Sequence, residues 1–367
     1  MLLNEGEVIR ESYTVDRLLG EGAFAEVYRV DHRVFGRLAM KVFKLLGTMK
    51  ETLSALEEAL ILSGMGDRNV IRVFDADMIE TANGMRGFFT MEYVAGGSLQ
   101  EFWSGYGTEF VPLETSVEIV KQVCLGLSVA HRDNPPIIHR DIKPQNILVG
   151  YDAKGLRACL SDFGLAKRVN PLMLKASARG TLCFKAPETF LDPMSDSCAG
   201  DVWASGVTLY LLLTDRFPFE PPDQDCKNLD YRCFQRPLIP PSRWNIRVDP
   251  LLDQIVYRAL SVEKEKRYQN AMELLEELNR WEPRPPQSVR EFRDNLSSEN
   301  SKDVLGAPAK VDEGEVREMI AQAIRLSQEG DRLTEAADLM EQALNQWPAL
   351  REEYEPLIRR WRAKIIM

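Results

Sequence analysis

The run His139-Arg140-Asp141-Ile142-Lys143-Pro144-Gln145-Asn146 constrains this chain more than any other stretch. Within one turn-rich loop it sets a carboxylate, a lysine two positions on and an amide five positions on; Asp162-Phe163-Gly164 follows sixteen residues after Asn146. Moving a phosphoryl group takes a base or positioner at the acceptor hydroxyl, a cation near the transferred group and hard oxygen ligands for Mg²⁺. Asp141, Lys143 and the pair Asn146 with Asp162 supply those parts in that order. Asp-Phe-Gly alone is a weak signal, but an eight-residue run followed by it at this distance is a strong one.

The two motifs closely resemble the catalytic loop and metal-binding motif of the protein kinases, in the Ser/Thr form with Lys two residues after the Asp. The resemblance implies an α+β, two-lobe fold: a small β-rich lobe at about 13–94 and a large helical lobe at about 95–282. It implies ATP and Mg²⁺ as cofactors and proteins as substrates. In it, Asp141 orients and deprotonates the acceptor hydroxyl, Lys143 stabilises charge on the transferred group, and Asn146 and Asp162 hold the metal. The compact chain and short loops resemble the bacterial members of the family.

Bulk properties narrow the field. A length of 367 residues holds two domains, or one large domain plus an appendage. The net charge of −10 argues against nucleic acid or an anionic membrane as the main partner. No run of eighteen apolar residues marks a membrane span, and the start carries Glu5 and Glu7 where a signal peptide would carry Lys or Arg. A cytoplasmic protein is expected. Six cysteines show no metal-ligand spacing and read as reduced thiols; only Cys183 prompts a redox-switch idea, and the reading goes against it.

Residues 13–45 read as strands, with Gly20 and Gly22 in a turn where backbone N–H groups can approach phosphate oxygens. The family's phosphate-covering loop has a third glycine where this chain has Ala25. Lys41 interrupts the apolar run Leu38–Phe43, and a buried lysine needs an anionic partner. In kinases that lysine holds the ATP phosphates and pairs with a glutamate on the next helix. That helix falls at about 50–64 here; Glu57 and Glu58 compete for the role, and counting back from Asn69-Val70-Ile71 favours Glu58. Strands at Ile71–Phe74 and Gly87–Val94 flank the turn signal Thr81-Ala82-Asn83-Gly84. By the resemblance, Glu92 and Val94 read the adenine edge, Met91 stands behind the pocket, and Val27, Ala39 and Leu148 sandwich the base.

Helical spacing runs over 113–132, closed by His131, which reads as structural, as does His139. Gly180-Thr181 and Ala186-Pro187-Glu188 resemble the family's substrate-docking and anchor landmarks. Phe184-Lys185 stands where a Tyr plus an apolar residue is commoner, a departure that bears on acceptor preference. Arg140 before Asp141 marks the subclass whose activation segment takes an added negative charge, and Ser177, the only Ser or Thr between Gly164 and Gly180, is the expected phosphate acceptor. Thr181 reads as acceptor positioning rather than regulation. Asp201, opening an apolar helix, resembles the residue that ties down the catalytic-loop backbone, and Arg267 the one that pairs with Glu188.

Pro283-Arg284-Pro285-Pro286 ends this region, and 283–311 reads as a linker. Residues 312–367 hold three amphipathic helices; Ala336, Met340, Ala343 and Pro348 resemble half of a tetratricopeptide repeat. One such unit cannot bury its own apolar face, so it docks on the lobes, self-associates or takes a protein partner. There are two rival readings. A kinase-like enzyme acting on a small molecule would be expected to lack Gly180-Thr181 and Ala186-Pro187-Glu188, and both are present. A pseudokinase scaffold acting through this tail would be expected to have lost Lys41, Asp141, Asn146 or Asp162, and all four are present.

Overall fold

Alternation of apolar side chains builds the first part of the chain. In the computed structural model, which describes residues 1–22, 25–44, 64, 66–163, 182–219, 229–283, 313–329 and 332–363, six antiparallel strands form one sheet. They are β1 (Val8–Ile9), β2 (Tyr13–Glu21), β3 (Ala25–His32), β4 (Gly36–Phe43), β5 (Val73–Thr81) and β6 (Gly84–Glu92), in the order β1-β2-β3-β4-β6-β5. The ladder pairs Tyr28 with Met40, Val30 with Leu38 and Met40 with Thr90. Tyr28, Val30, Leu38, Met40, Val42 and Phe88 join Leu3, Ile9, Tyr13 and Val15 in one core. Residues two apart share a face. The opposite face therefore carries Val27, Ala39, Lys41, Phe89 and Met91, through the pairs Val27–Lys41, Lys41–Phe89 and Ala39–Met91.

Two details differ from expectation. The first twelve residues are tied to the sheet: Val8–Ile9 pairs with β2 as β1, and the backbone N–H groups of Leu2 and Leu3 donate to the Tyr28 hydroxyl at 2.9 and 3.1 Å. Strands β5 and β6 also run right up to the Ala82-Asn83 turn, because pairing continues to Thr81–Gly84 despite Asp75, Asp77 and Glu80. Backbone ladder bonds outweigh the weak strand preference of those acids.

The chain divides into two compact units, Met1–Val94 with Ser161–Arg179, and Ala95–Leu160 with Gly180–Met367. The second is helical. Its α1 (Leu99–Ser104) starts in a capping box between Ser98 and Glu101. Next, α2 (Leu113–His131) buries Val117, Val120, Val123, Cys124, Leu127 and Ala130. A hairpin follows, β7 (Ile147–Asp152) with β8 (Gly155–Leu160). After the short α3 (Glu188–Leu191) comes α4 (Cys198–Thr214), predominantly apolar and buried on nearly every side. Helix α2 packs on α4, on β8 and on α6 (Ala271–Arg280), and α5 (Pro250–Ala259) packs on α4 and α6. No helix among the described residues is long and apolar enough to cross a membrane.

Three more helices, α7 (Glu313–Ser327), α8 (Leu333–Gln346) and α9 (Arg351–Arg362), share a core with Tyr151 of β7 and Leu156 of β8. Val316, Ile320, Ala323, Ala336, Met340, Ala343, Leu344, Ile358 and Trp361 line it. Their apolar faces are thus covered within the second unit. Arg351 anchors this packing, its guanidinium 4.2 Å from the Phe102 ring and 5.8 Å from those of Tyr106 and Tyr151, with Nη1 donating to the Tyr106 hydroxyl at 2.7 Å. Gly105 lets α8 come close, since a Cβ there would collide with the Asn345 carbonyl.

Candidate active site

The catalytic-loop candidates lie in the second unit, between α2 and β7. Lys143 Nζ reaches Asp141 Oδ2 at 2.8 Å. Asn146 Nδ2 donates to the Asp141 carbonyl at 2.8 Å and to its carboxylate at 2.9 Å. The loop stays short because Pro144–Asn146 closes a 3-10 turn that feeds straight into β7. Burial pushes the Asp141 carboxyl up, but Lys143 and Lys185 outweigh it and hold it below the usual carboxylate range. At neutral pH it is a carboxylate, ready to accept a proton.

The loop is anchored from beneath. Arg140, at φ +70°, sits in the left-handed region that a non-glycine residue enters at a cost of about 1–3 kcal/mol. Buried Asp201 on α4 accepts the N–H groups of His139 at 2.7 Å and Arg140 at 2.8 Å. His131 donates from Nε2 to Asp201 at 3.1 Å, while its Nδ1 accepts the Ala271 N–H at 3.2 Å, so α2, α4 and α6 meet at one imidazole. Burial pushes Asp201 up, and the His131 bond and the Arg140 N–H outweigh it. Fully buried His139 receives the Asp141 N–H on Nδ1 at 3.3 Å. Both histidines therefore hold structure. Arg267 and Glu188 form a two-pronged pair, both bonds 2.9 Å, and Arg267 Nη1 also donates to the Ala199 carbonyl at 3.0 Å.

In the first unit, Lys41 Nζ meets Asp162 Oδ1 at 2.6 Å. Asp162 is also left-handed, at φ +60°. The glutamate expected to brace Lys41, Glu58, lies outside the described residues, as does its alternative Glu57. Gly20 pairs with Val27, and the Gly22 N–H donates to the Ala25 carbonyl at 2.8 Å. Met91 is buried beside Ala39, and the Glu92 N–H donates to the Arg72 carbonyl at 2.8 Å. Val94 ends the first unit; Leu148 lies in the second, on β7, bridged to Ser98. Oxygen donors suit Mg²⁺; the second unit offers the Asn146 amide oxygen and the first the Asp162 carboxylate. Nδ2 is the donor in both Asn146 bonds, so a cation held there would be held through Oδ1.

Ser177 and Thr181 fall outside the described residues. Arg140, expected to await a phosphate, has its Nε on Asp196 Oδ2 at 3.1 Å. Asp196 was not foreseen: it sits in a loop with no periodicity, and only the fold brings it to Arg140. Lys185 donates from Nζ to the Arg140 carbonyl at 2.7 Å. Cys183 is disulfide-bonded, which corrects the reduced-thiol reading; that reading holds for Cys124, Cys159, Cys198 and Cys233. Spacing along the chain cannot reveal a pairing that tertiary proximity sets.

Comparison with known proteins gives a consistent picture. The family described as Protein kinase domain matches residues 13–279. A probable serine/threonine-protein kinase of Clostridium acetobutylicum is 28% identical over 280 residues, covering 75% of this chain and 40% of that protein. The serine/threonine-protein kinase PknB of Mycolicibacterium smegmatis is 29% identical over 279 residues, covering 74% of this chain and 43% of that protein. The chain thus spans less than half the length of these curated relatives. The solved Mycobacterium tuberculosis PknI kinase domain aligns with a TM-score of 0.56 at 23% identity, over 76% of this chain and 99% of that one, a likeness of fold.

Proposed function

Since the chain belongs to the protein kinase family, matched over residues 13–279, we propose that it transfers the γ-phosphoryl group of ATP to serine or threonine hydroxyls of proteins. The observation that carries this reading is Asp141, tied by Lys143 at 2.8 Å and Asn146 at 2.9 Å in a loop anchored on buried Asp201. Asp141 takes up the hydroxyl proton as the oxygen attacks the γ-phosphorus, whose bond to the β,γ-bridging oxygen breaks and releases ADP. Lys143, beside it, offsets charge on the transferred group, which is where electrostatic stabilisation contributes most. Mg²⁺, held by Asn146 and Asp162, would supply charge neutralisation at the phosphates. Lys41 positions the nucleotide, with Glu58 as its brace, and Gly20, Gly22, Val27, Ala39, Met91, Glu92, Val94 and Leu148 form the nucleotide site.

The same reading covers regulation and organisation. Ser177 is the activation-segment acceptor and Thr181 the positioner of the incoming hydroxyl. Residues 283–311 link the kinase domain, 13–282, to the helices of 312–367. We read those helices as a brace docked on the chain's own second unit rather than a repeat that captures a partner, because their apolar faces are spent on Tyr151, Leu156 and one another. ATP dependence fits the cytoplasm.

The test is transfer from labelled ATP with Mg²⁺ to a generic Ser/Thr substrate, comparing the intact chain with Asp141→Asn. Label should appear on Ser or Thr and drop by at least about 10³-fold in the variant, as loss of the proton acceptor demands. Mass spectrometry of the chain should find phosphate on Ser177. Label that persists in Asp141→Asn would remove Asp141 from its role.

A further inference from the structure

Lys185 departs from the family's usual apolar residue, and the structure gives it a specific task. The peptide joining Arg140 to Asp141 carries the aspartate, and its setting depends on the unusual φ of +70° at Arg140. On the near side of Arg140, its N–H is held by Asp201 Oδ1 at 2.8 Å. On the far side, the carbonyl receives Lys185 Nζ at 2.7 Å, and the N–H of the same peptide reaches His139 Nδ1 at 3.3 Å. The Arg140 side chain is held separately, by Asp196 at 3.1 Å. Lys185, Arg140, Asp141, Asp196 and Asp201 line one small cavity, so the ammonium and the loop are neighbours by packing as well as by hydrogen bonding. Hydrogen bonds from a charged donor are stronger than neutral ones. Releasing this one would let the peptide turn about its two flanking bonds and swing the Asp141 carboxylate.

We propose that Lys185 is a positioning residue for phosphoryl transfer, fixing the Arg140–Asp141 peptide so that Asp141 meets the acceptor hydroxyl. It rests on the phosphotransfer reading above, which assigns Asp141 its role. A residue that only sets the geometry of the reacting group affects turnover more than binding. A displacement of about 1 Å at a reacting group can cost on the order of 100-fold in rate.

The experiment uses the full chain as Lys185→Met, Lys185→Gln and Lys185→Arg, with rates expressed per nucleotide-binding molecule so that misfolded protein does not count. Lys185→Met should lower kcat about 10- to 100-fold while KM for ATP and for the peptide acceptor stays within about twofold. Lys185→Arg, which keeps a charged donor, should recover most of the loss, and Lys185→Gln a smaller part. Unchanged kcat in Lys185→Met overturns the proposal. So does a raised peptide KM at normal kcat, which would make Lys185 an acceptor-specificity residue. Lys185→Arg no better than Lys185→Met also overturns it. Failure of the parent reading looks different: the unsubstituted chain transfers no label, or transfers it regardless of Asp141→Asn, and the proposal falls with it.

Discussion

Individual side chains at this site are held by partners far away in sequence, and removing one partner exposes what the other was doing. Arg267 is the clearest case: its side chain is fully buried, and it satisfies both Glu188 oxygens and the carbonyls of Ala199 and Ser261. Arg267→Ala leaves a poorly solvated carboxylate and bare carbonyls. It should cost about 3–5 kcal/mol, the usual penalty for breaking a buried pair from one side. Urea unfolding reads this directly, and a loss below about 1 kcal/mol would mean that water replaces the guanidinium. The residue types of this pair were legible from Ala186-Pro187-Glu188 and Glu265-Lys266-Arg267. The carbonyl bonds to Ala199 and Ser261 were not, because a backbone acceptor leaves no mark in sequence.

At the scale of elements, helical periodicity was a reliable guide. Leu113–His131 was expected at 113–132, and the three C-terminal helices fall where their apolar spacing places them. The polar residues buried between those helices were invisible to that pattern. Arg362 of α9 bonds Asp338 at 2.8 Å and Glu341 at 2.7 Å, both on α8, so one guanidinium serves two carboxylates. Burial is the main cause that raises Glu341 to about 7 from an ordinary 4.5, with Arg362 opposing and Asp338 adding to the rise. The folded state then keeps the Glu341 proton up to about pH 7, whereas the unfolded chain releases it near 4.5. The stabilisation from this group is complete below pH 4.5 and is lost as the pH climbs through 7. Glu341→Gln cannot titrate, so its melting temperature should lose that component of the decline across the same window. A slope identical to that of the unsubstituted chain would rule the carboxyl out.

For the molecule as a whole, the second unit includes the C-terminal helices in its packing. Ending the chain before Glu313 uncovers Tyr151, which is 5% exposed, along with Leu156 and the aromatic seat of Arg351. Each large apolar side chain so exposed forfeits about 1.5–3 kcal/mol. At roughly 2–4 °C per kcal/mol for a domain of this size, the truncated protein should still fold but melt several degrees lower. Calorimetry of the two chains decides: equal midpoints would show that the helices lend the lobes no stability, and outright loss of the folded state would show that the lobes cannot stand without them.

What the amino-acid sequence determined by itself was chemistry at short range. The spacing of Asp141, Lys143 and Asn146 is set by bond geometry within one loop, and helix and strand periods are set by the backbone, so both can be read one residue at a time. The tertiary structure alone decided the pairings that cross the chain. Lys41 meets Asp162 across 121 positions and Lys185 meets the Arg140 carbonyl across 45. Asp196 takes Arg140, and the last helices fold back onto Tyr151. Such contacts depend on which buried surfaces fit together, because many surface-compatible partners exist for any one charge or apolar face. Only the packed core selects among them.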